Sequence, residues 1–136
     1  MDPCFSRRSL LAAGGAGAGL LALAACSGEQ VPELTGVGRG DRVVALADVP
    51  VGGAYEVSLN GRRVVVGRPT EDTAVAFDAT CTHQGCRVRA TDDGPLGCPC
   101  HGSEFDPGTG AVLRGPAEEP LAPVQVAVRG SDVVLA

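Results

Sequence analysis

The amino-acid sequence predicts an all-β domain of small antiparallel sheets, and three observations carry that expectation. All 18 valines fall after residue 30, where β-branched side chains favour strands. Gly, Pro, Asn and Asp cut the same region into short runs. No stretch beyond residue 30 offers ten residues of helical periodicity.

The strands are expected, in order, over Arg42 to Val49, Ala54 to Leu59, Arg62 to Val66, Thr73 to Asp78, Arg87 to Ala90, Ala111 to Arg114, Val124 to Arg129 and Asp132 to Leu135. Tyr55, Val57 and Leu59 alternate with Ala54, Glu56 and Ser58, the period-2 pattern of a half-buried strand. Asn60-Gly61 joins two such runs and signals a hairpin, because both residues tolerate positive φ. Thr91-Asp92-Asp93-Gly94 and Gly130-Ser131 fit two more turns. Two long turns are left over, and they carry the chemistry.

Composition sets the scale. Of 136 residues the first 25 differ in character, and the 111 that follow suffice for one small domain. One Tyr, three Phe, and no Trp, Lys or Ile make a core poor in large side chains. Some other device is therefore expected to reinforce the fold, and six cysteines are the candidates. From Cys26 onward nine Arg oppose fifteen Asp and Glu, a formal charge of −6, which argues against a nucleic-acid partner.

The first 25 residues read as an export signal. Arg7 and Arg8 precede a weakly apolar run from Leu10 to Ala25, sixteen residues that include four Gly. That run is short of the roughly 20 residues a spanning helix needs. Ser6-Arg7-Arg8-Ser9-Leu10-Leu11 looks like a twin-arginine signal, and Leu23-Ala24-Ala25-Cys26 resembles a lipobox, in which the cysteine becomes the lipidated first residue. An ordinary cleaved signal and a retained anchor helix are the alternatives. Residues 26 to 40 then read as the lipid-anchor Cys26 and a flexible tether with four Gly, and residues 41 to 136 as the exported domain.

Both histidines and four of the cysteines fall within 21 positions, as Cys81-Thr82-His83-Gln84-Gly85-Cys86 and Cys98-Pro99-Cys100-His101-Gly102-Ser103. Six soft or imidazole ligands in two short loops point to a metal site rather than to core filling. Cys98-Pro99-Cys100-His101 is one residue short of the Cys-x-x-Cys-His needed for covalent haem, and a thioredoxin-like Cys-x-x-Cys is absent. The Cys98-x-Cys100 spacing is tight for a zinc knuckle, although a zinc site using Cys-x-His twice stays open. Asp92-Asp93 and Glu118-Glu119 read as solvated turn charges rather than catalytic pairs, since each pair is adjacent and flanked by Gly or Pro.

The two clusters resemble, nearly letter for letter, the Cys-Thr-His-x-Gly-Cys and Cys-Pro-Cys-His-Gly-Ser signatures of the Rieske iron–sulfur family, and the resemblance extends over most of residues 42 to 136. It implies a Rieske-type fold with two cluster-binding loops and one [2Fe-2S] cluster per chain. By that resemblance Cys81 and Cys98 bind one iron, His83 and His101 bind the other, and Cys86 and Cys100 form a disulfide joining the loops. Leu113-Arg114-Gly115-Pro116-Ala117 followed by Pro120 looks like the family's proline-containing covering loop. Gly85, Gly102, Pro116 and Ser103 would surround the cluster, with Ser103 donating to a sulfur. Phe105 stands where the high-potential members have a Tyr, so a lower potential is expected here. Between His83 and Cys98 lie 14 residues, at the short end for the family, which implies an abbreviated connection.

Replacing two thiolates by neutral imidazoles makes an electron easier to accept, which is why Rieske centres lie at roughly −150 to +300 mV against about −400 mV for all-Cys ferredoxins. The ring nitrogen not bound to iron can also hold a proton, so electron and proton can travel together. The expected function is a membrane-tethered one-electron carrier on the outer face of the cytoplasmic membrane, serving a redox partner protein or a membrane quinol. Two alternatives are a Rieske subunit of a larger oxidoreductase, of arsenite-oxidase or cytochrome bc type, and a structural zinc-binding or redox-sensing module. The short leader and Phe105 speak against the bc type.

Overall fold

The computed structural model describes residues 30–91 and 94–136. Arg7, Arg8 and Cys26 of the expected signal and anchor, and Asp92 and Asp93 of the expected turn, lie outside them. The described residues form eleven strands: β1 (Glu33–Leu34), β2 (Arg42–Ala45), β3 (Ala54–Leu59), β4 (Arg62–Thr70), β5 (Thr73–Asp78), β6 (Leu96–Gly97), β7 (Glu104–Phe105), β8 (Val112–Arg114), β9 (Pro123–Val124), β10 (Val126–Arg129) and β11 (Asp132–Leu135). They make a five-stranded sheet in the order β1-β3-β4-β5-β9 and two three-stranded sheets, β10-β11-β2 and β6-β7-β8. All pairings are antiparallel except β1 with β3.

Strand β4 is the divider of the molecule. Val64, Val65 and Val66 are all buried, so both faces of this strand are covered. Val64 and Val66 point into one core with Val43, Val57 and Val133. Val65 points the other way, into a second core with Phe77, Leu96, Phe105, Cys81 and Cys98. Each such valine contributes roughly 1.5 to 3 kcal/mol by burial. Among the described residues both phenylalanines, Phe77 and Phe105, lie in the second core with the two cysteines, while Tyr55 packs against the first.

The Asn60-Gly61 hairpin forms as the sequence predicts. Leu59 pairs with Arg62 across a two-residue loop, with φ of 53° at Asn60 and 83° at Gly61. Gly130-Ser131 closes β10 onto β11 across a loop of the same length, with Arg129 opposite Asp132 and positive φ at Gly130 alone.

Four expectations need correction. The run from Arg42 to Val49 is a strand only to Ala45; Leu46–Asp48 form a 3-10 turn that buries Leu46. The run from Val124 to Arg129 is two strands in different sheets, Val124 opposite Ala76 and Val126 opposite Leu135. Arg87 to Ala90 is no continuous strand but two isolated bridges, Thr80 with Arg87 and Arg89 with Gly97. The stretch expected as a flexible tether is fastened to the domain from Pro32 onward. Ser58 N donates to Pro32 O, Asn60 N to Leu34 O, and the Asn60 side chain both accepts from Val37 N and donates to Val37 O. Its glycines suggested freedom, but the backbone of β3 and the amide of Asn60 supply long-range partners.

Candidate metal centre

Both predicted loops are closed by the same backbone arrangement. In the first, Cys81 N donates to Cys86 O at 2.7 Å and Gly85 N to Cys81 O at 2.9 Å. In the second, Cys98 N donates to Ser103 O at 2.8 Å and Gly102 N to Cys98 O at 3.0 Å. The fifth residue of each loop is a glycine at positive φ, 75° at Gly85 and 80° at Gly102, a conformation that side chains disfavour. This turn explains the glycine in each cluster on backbone grounds alone. It also brings the first cysteine of each loop to an equivalent, inward position.

The consequences for the side chains are consistent. Cys81 and Cys98 are free thiols, each 3% exposed, held in the second core. His83 and His101 lie on the exposed side, their rings edge to face with centroids 4.9 Å apart. Cys86 and Cys100 are joined as a disulfide that ties one loop to the other. The Sγ atoms of Cys86, Cys98 and Cys100 lie within 4.8 Å of one another. Two of those sulfurs are bonded to each other and are not thiolates, so of the three only Cys98 is available as an anionic ligand.

Strand β8 leads into the covering segment, Gly115 to Pro120, and two hydrogen bonds fix it over the loops. Ala117 N donates to Ser103 Oγ at 3.0 Å, and Thr82 Oγ1 donates to Glu119 O at 2.7 Å. Ser103 is wholly buried, and since its oxygen accepts from Ala117 its own proton stays available to another acceptor. Pro116 is exposed beside these anchors. Neither the Thr82 bond nor the role of Ala117 follows from the sequence: the residue types are visible, but their partners lie 37 and 14 positions away.

Phe105 is completely buried and pairs in register with Leu96 and Val112 of the β6-β7-β8 sheet. The chain then turns at Asp106, whose Oδ1 accepts from Gly108 N, Thr109 N and Thr109 Oγ1. Pro107 O sits so close to β4 that a Cβ on Gly67 would fall 1.9 Å from it, so the second loop's base is packed directly on the dividing strand.

Below the first loop, Asp78 accepts from Thr80 N and Arg62 Nε. Burial opposes ionisation of this carboxyl, but the bonds to Thr80 and the Arg62 guanidinium outweigh it and hold the group below its ordinary value.

Two buried thiols and two exposed imidazoles form a mixed sulfur and nitrogen donor set, which fits a [2Fe-2S] cluster with two thiolate and two imidazole ligands. Among the described residues no helix is long and apolar enough to cross a membrane.

Known proteins resemble the chain along this same region. The plasma membrane Rieske protein PetC3 of Synechocystis PCC 6803 superposes with a TM-score of 0.61 at 33% identity, covering 71% of this chain and 98% of that one. The ferredoxin of carbazole 1,9a-dioxygenase from Nocardioides aromaticivorans IC177 gives a TM-score of 0.56 at 26% identity, over 71% and 95%. The cytochrome b6-f complex iron-sulfur subunit of Synechococcus elongatus is 45% identical over 67 residues, 46% of this chain and 37% of that one. The matched stretches span from 16% to 40% of the length of such curated relatives. The family model of the Rieske [2Fe-2S] domain matches residues 41–128, both loops included, and the chain therefore belongs to the Rieske family, whose domain binds a [2Fe-2S] cluster.

Proposed function

We propose that this chain is a one-electron carrier, with Cys81 and Cys98 as thiolate ligands to one iron and His83 and His101 as imidazole ligands to the other. The observation that carries the reading is the pair of like-closed loops, each presenting one buried free cysteine, with two exposed imidazoles 4.9 Å apart. When bound, the cluster supplies one-electron chemistry at a potential raised by imidazole ligation. The protein's share is placement. Burial keeps water from the two thiolates, the Cys86–Cys100 bridge holds the loops in register, and Ser103 with Ala117 fastens the covering segment. The exposed histidine rings are the face a partner meets, and their outer nitrogens are where a proton can be held.

The same reading sets the carrier at the outer face of the cytoplasmic membrane. Its support is the twin-arginine and lipobox-like leader with Cys26 as the lipidated residue, and the plasma-membrane relative named above. Because the chain is fastened from Pro32, the span between Cys26 and the domain would be shorter than the expected residues 26–40. The signal would occupy residues 1–25 and the folded domain would begin near Pro32 rather than at the expected position 41.

A second reading, a subunit of a larger electron-transfer complex, is favoured by the similarity to cytochrome b6-f iron-sulfur subunits. Phe105 in place of the tyrosine weighs against a quinol-oxidising subunit of that type.

Absorbance, EPR and metal content of the purified protein test the assignment. Two irons per chain with a rhombic signal, lost in His83→Ala or Cys81→Ala, are expected; a colourless protein holding one zinc would overturn it. Mass spectrometry of the mature N-terminus tests the anchor, with a diacylglyceryl mass on Cys26 expected.

A further inference from the structure

Arg63, Arg87 and Arg89 line one open groove of about 1200 Å³ together with Glu33 and Glu56. Arg87 and Arg89 are exposed on either side of the wholly buried Val88, so strand-like alternation turns both outward. Arg63 and Arg87 also line the adjoining hollow that reaches Gly85 of the first ligand loop. In a chain of formal charge −5 these arginines are a local reversal of sign.

The groove's carboxylates are already engaged. Glu33 Oε1 accepts Gly61 N at 2.9 Å, and the nearby Ser58 hydroxyl and Arg63 charge help hold this carboxyl below its ordinary value. Glu56 Oε1 accepts Ala90 N at 2.9 Å. Among the described residues the ion pairs are Arg42 with Asp132, Arg62 with Asp78 and Arg114 with Glu104, so none involves the three groove arginines. Nη1 of Arg63 is buried and has no hydrogen-bond partner there. A buried charged donor without an acceptor is costly, a cost that a shift of Arg63 toward a bound oxygen would relieve. The planar guanidinium fork suits the oxygens of a phosphate in particular.

We propose that this groove is an oxyanion site that takes a phosphate group, held by the guanidiniums of Arg63, Arg87 and Arg89 that line it. Residues 30–33 line the groove and lie a few positions after Cys26, which makes the phosphate of an anionic lipid headgroup the nearest source. That choice of source rests on the anchoring at Cys26 proposed above; the site itself does not.

The test uses the full-length holoprotein and inorganic phosphate at constant ionic strength, with chloride as the control. A saturable rise in Tm is expected with phosphate only. Arg63→Gln and Arg87→Gln are each expected to weaken the apparent affinity about tenfold, while Arg42→Gln, outside the groove, leaves it unchanged. The cluster's EPR signal, recorded for each variant, verifies that the fold and site are intact. No phosphate-specific rise in the parent, or an equal rise in both groove variants, overturns the proposal. The sources are separated in nanodiscs carrying the chain. Hydrogen-exchange protection at Gly61 and Ala90 in phosphatidylglycerol discs but not in phosphatidylcholine discs identifies the headgroup. A phosphate effect in solution without protection in either disc identifies free phosphate. A chain that enters no disc refutes the anchor and leaves the phosphate titration to decide the site.

Discussion

The Ser103 hydroxyl oxygen accepts the backbone N–H of Ala117 at 3.0 Å, with Ser103 0% and Ala117 4% exposed. One atom thus joins the second ligand loop to the covering segment where water cannot substitute for it. Ser103→Ala is expected to cost about 1 to 3 kcal/mol, because it strands a buried N–H. It should also lower the midpoint potential, since it removes a hydroxyl proton that the Ala117 bond leaves free to donate to a cluster sulfur. Thr82→Val breaks the matching bond to Glu119 at an exposed position and should cost about 1 kcal/mol or less. Urea unfolding of both variants, with amide exchange at Ala117, checks this; equal losses would contradict it.

Phe105 carries the second expectation. Its ring is completely buried between Leu96 and Val112 and offers no hydroxyl to the ligand loops. A redox titration should place the midpoint below that of Rieske proteins with a tyrosine at the matching position. Phe105→Tyr should raise it, provided the holoprotein still melts cooperatively. A parent midpoint equal to the tyrosine-containing proteins would sink the argument.

What the sequence made legible, and what it hid, divides by the range of the interactions. The Asn60-Gly61 turn is legible because positive φ is a property of those two residues. The two loops are legible because six ligand-type residues are adjacent in the chain, and their glycines prove to be needed by the turn itself. The parallel pairing of Glu33 and Leu34 with Ser58 and Leu59 is not legible, since its partner lies 25 residues on and the segment is rich in glycine. The split after Val124 is hidden for a related reason. Alternation reports which face a residue takes, not which of two sheets it joins. The burial of Val64, Val65 and Val66 together exposes the same limit, because three consecutive valines mark a strand covered on both faces without saying by what.

The disulfide yields a third prediction. Cys86 and Cys100 are 14 residues apart, and a bridge closing a loop of about that length contributes roughly 3 kcal/mol in the chain-entropy account. Cys86→Ala or Cys100→Ala should lower Tm and the midpoint potential together, as the loops lose their tie beside the buried Cys98. Unchanged melting of the holoprotein in either variant would remove the bridge from the account of stability.

Gly110 has two independent reasons to be glycine. Its φ is 72°, and a Cβ there would lie 2.7 Å from the Phe77 ring. Left-handed backbone costs a non-glycine residue about 1 to 2 kcal/mol, and overpacking a core ring costs about 1 to 3 kcal/mol more. Gly110→Ala should therefore lose about 2 to 5 kcal/mol. Gly130→Ala, which has a φ of 60° but open space around it, should lose only the backbone part. Chemical denaturation of the pair separates strain from collision.

Asp78 links stability to acid. Burial alone would raise its carboxyl, but the Thr80 hydroxyl and N–H and the Arg62 guanidinium prevail, and the group sits below its ordinary value in the folded chain. A carboxyl depressed in this way binds fewer protons when folded than when unfolded. Its stabilising contribution is then fully present above about pH 4 to 5 and declines as the pH falls through the folded value. The native protein should lose Tm more steeply between about pH 5 and pH 3 than Asp78→Asn, which has no proton to gain there. The two curves should converge at the acid end, where the parent has lost the charge that the variant lacks throughout. Parallel curves over that interval would mean that other carboxyls, and not Asp78, set the acid limit of the fold.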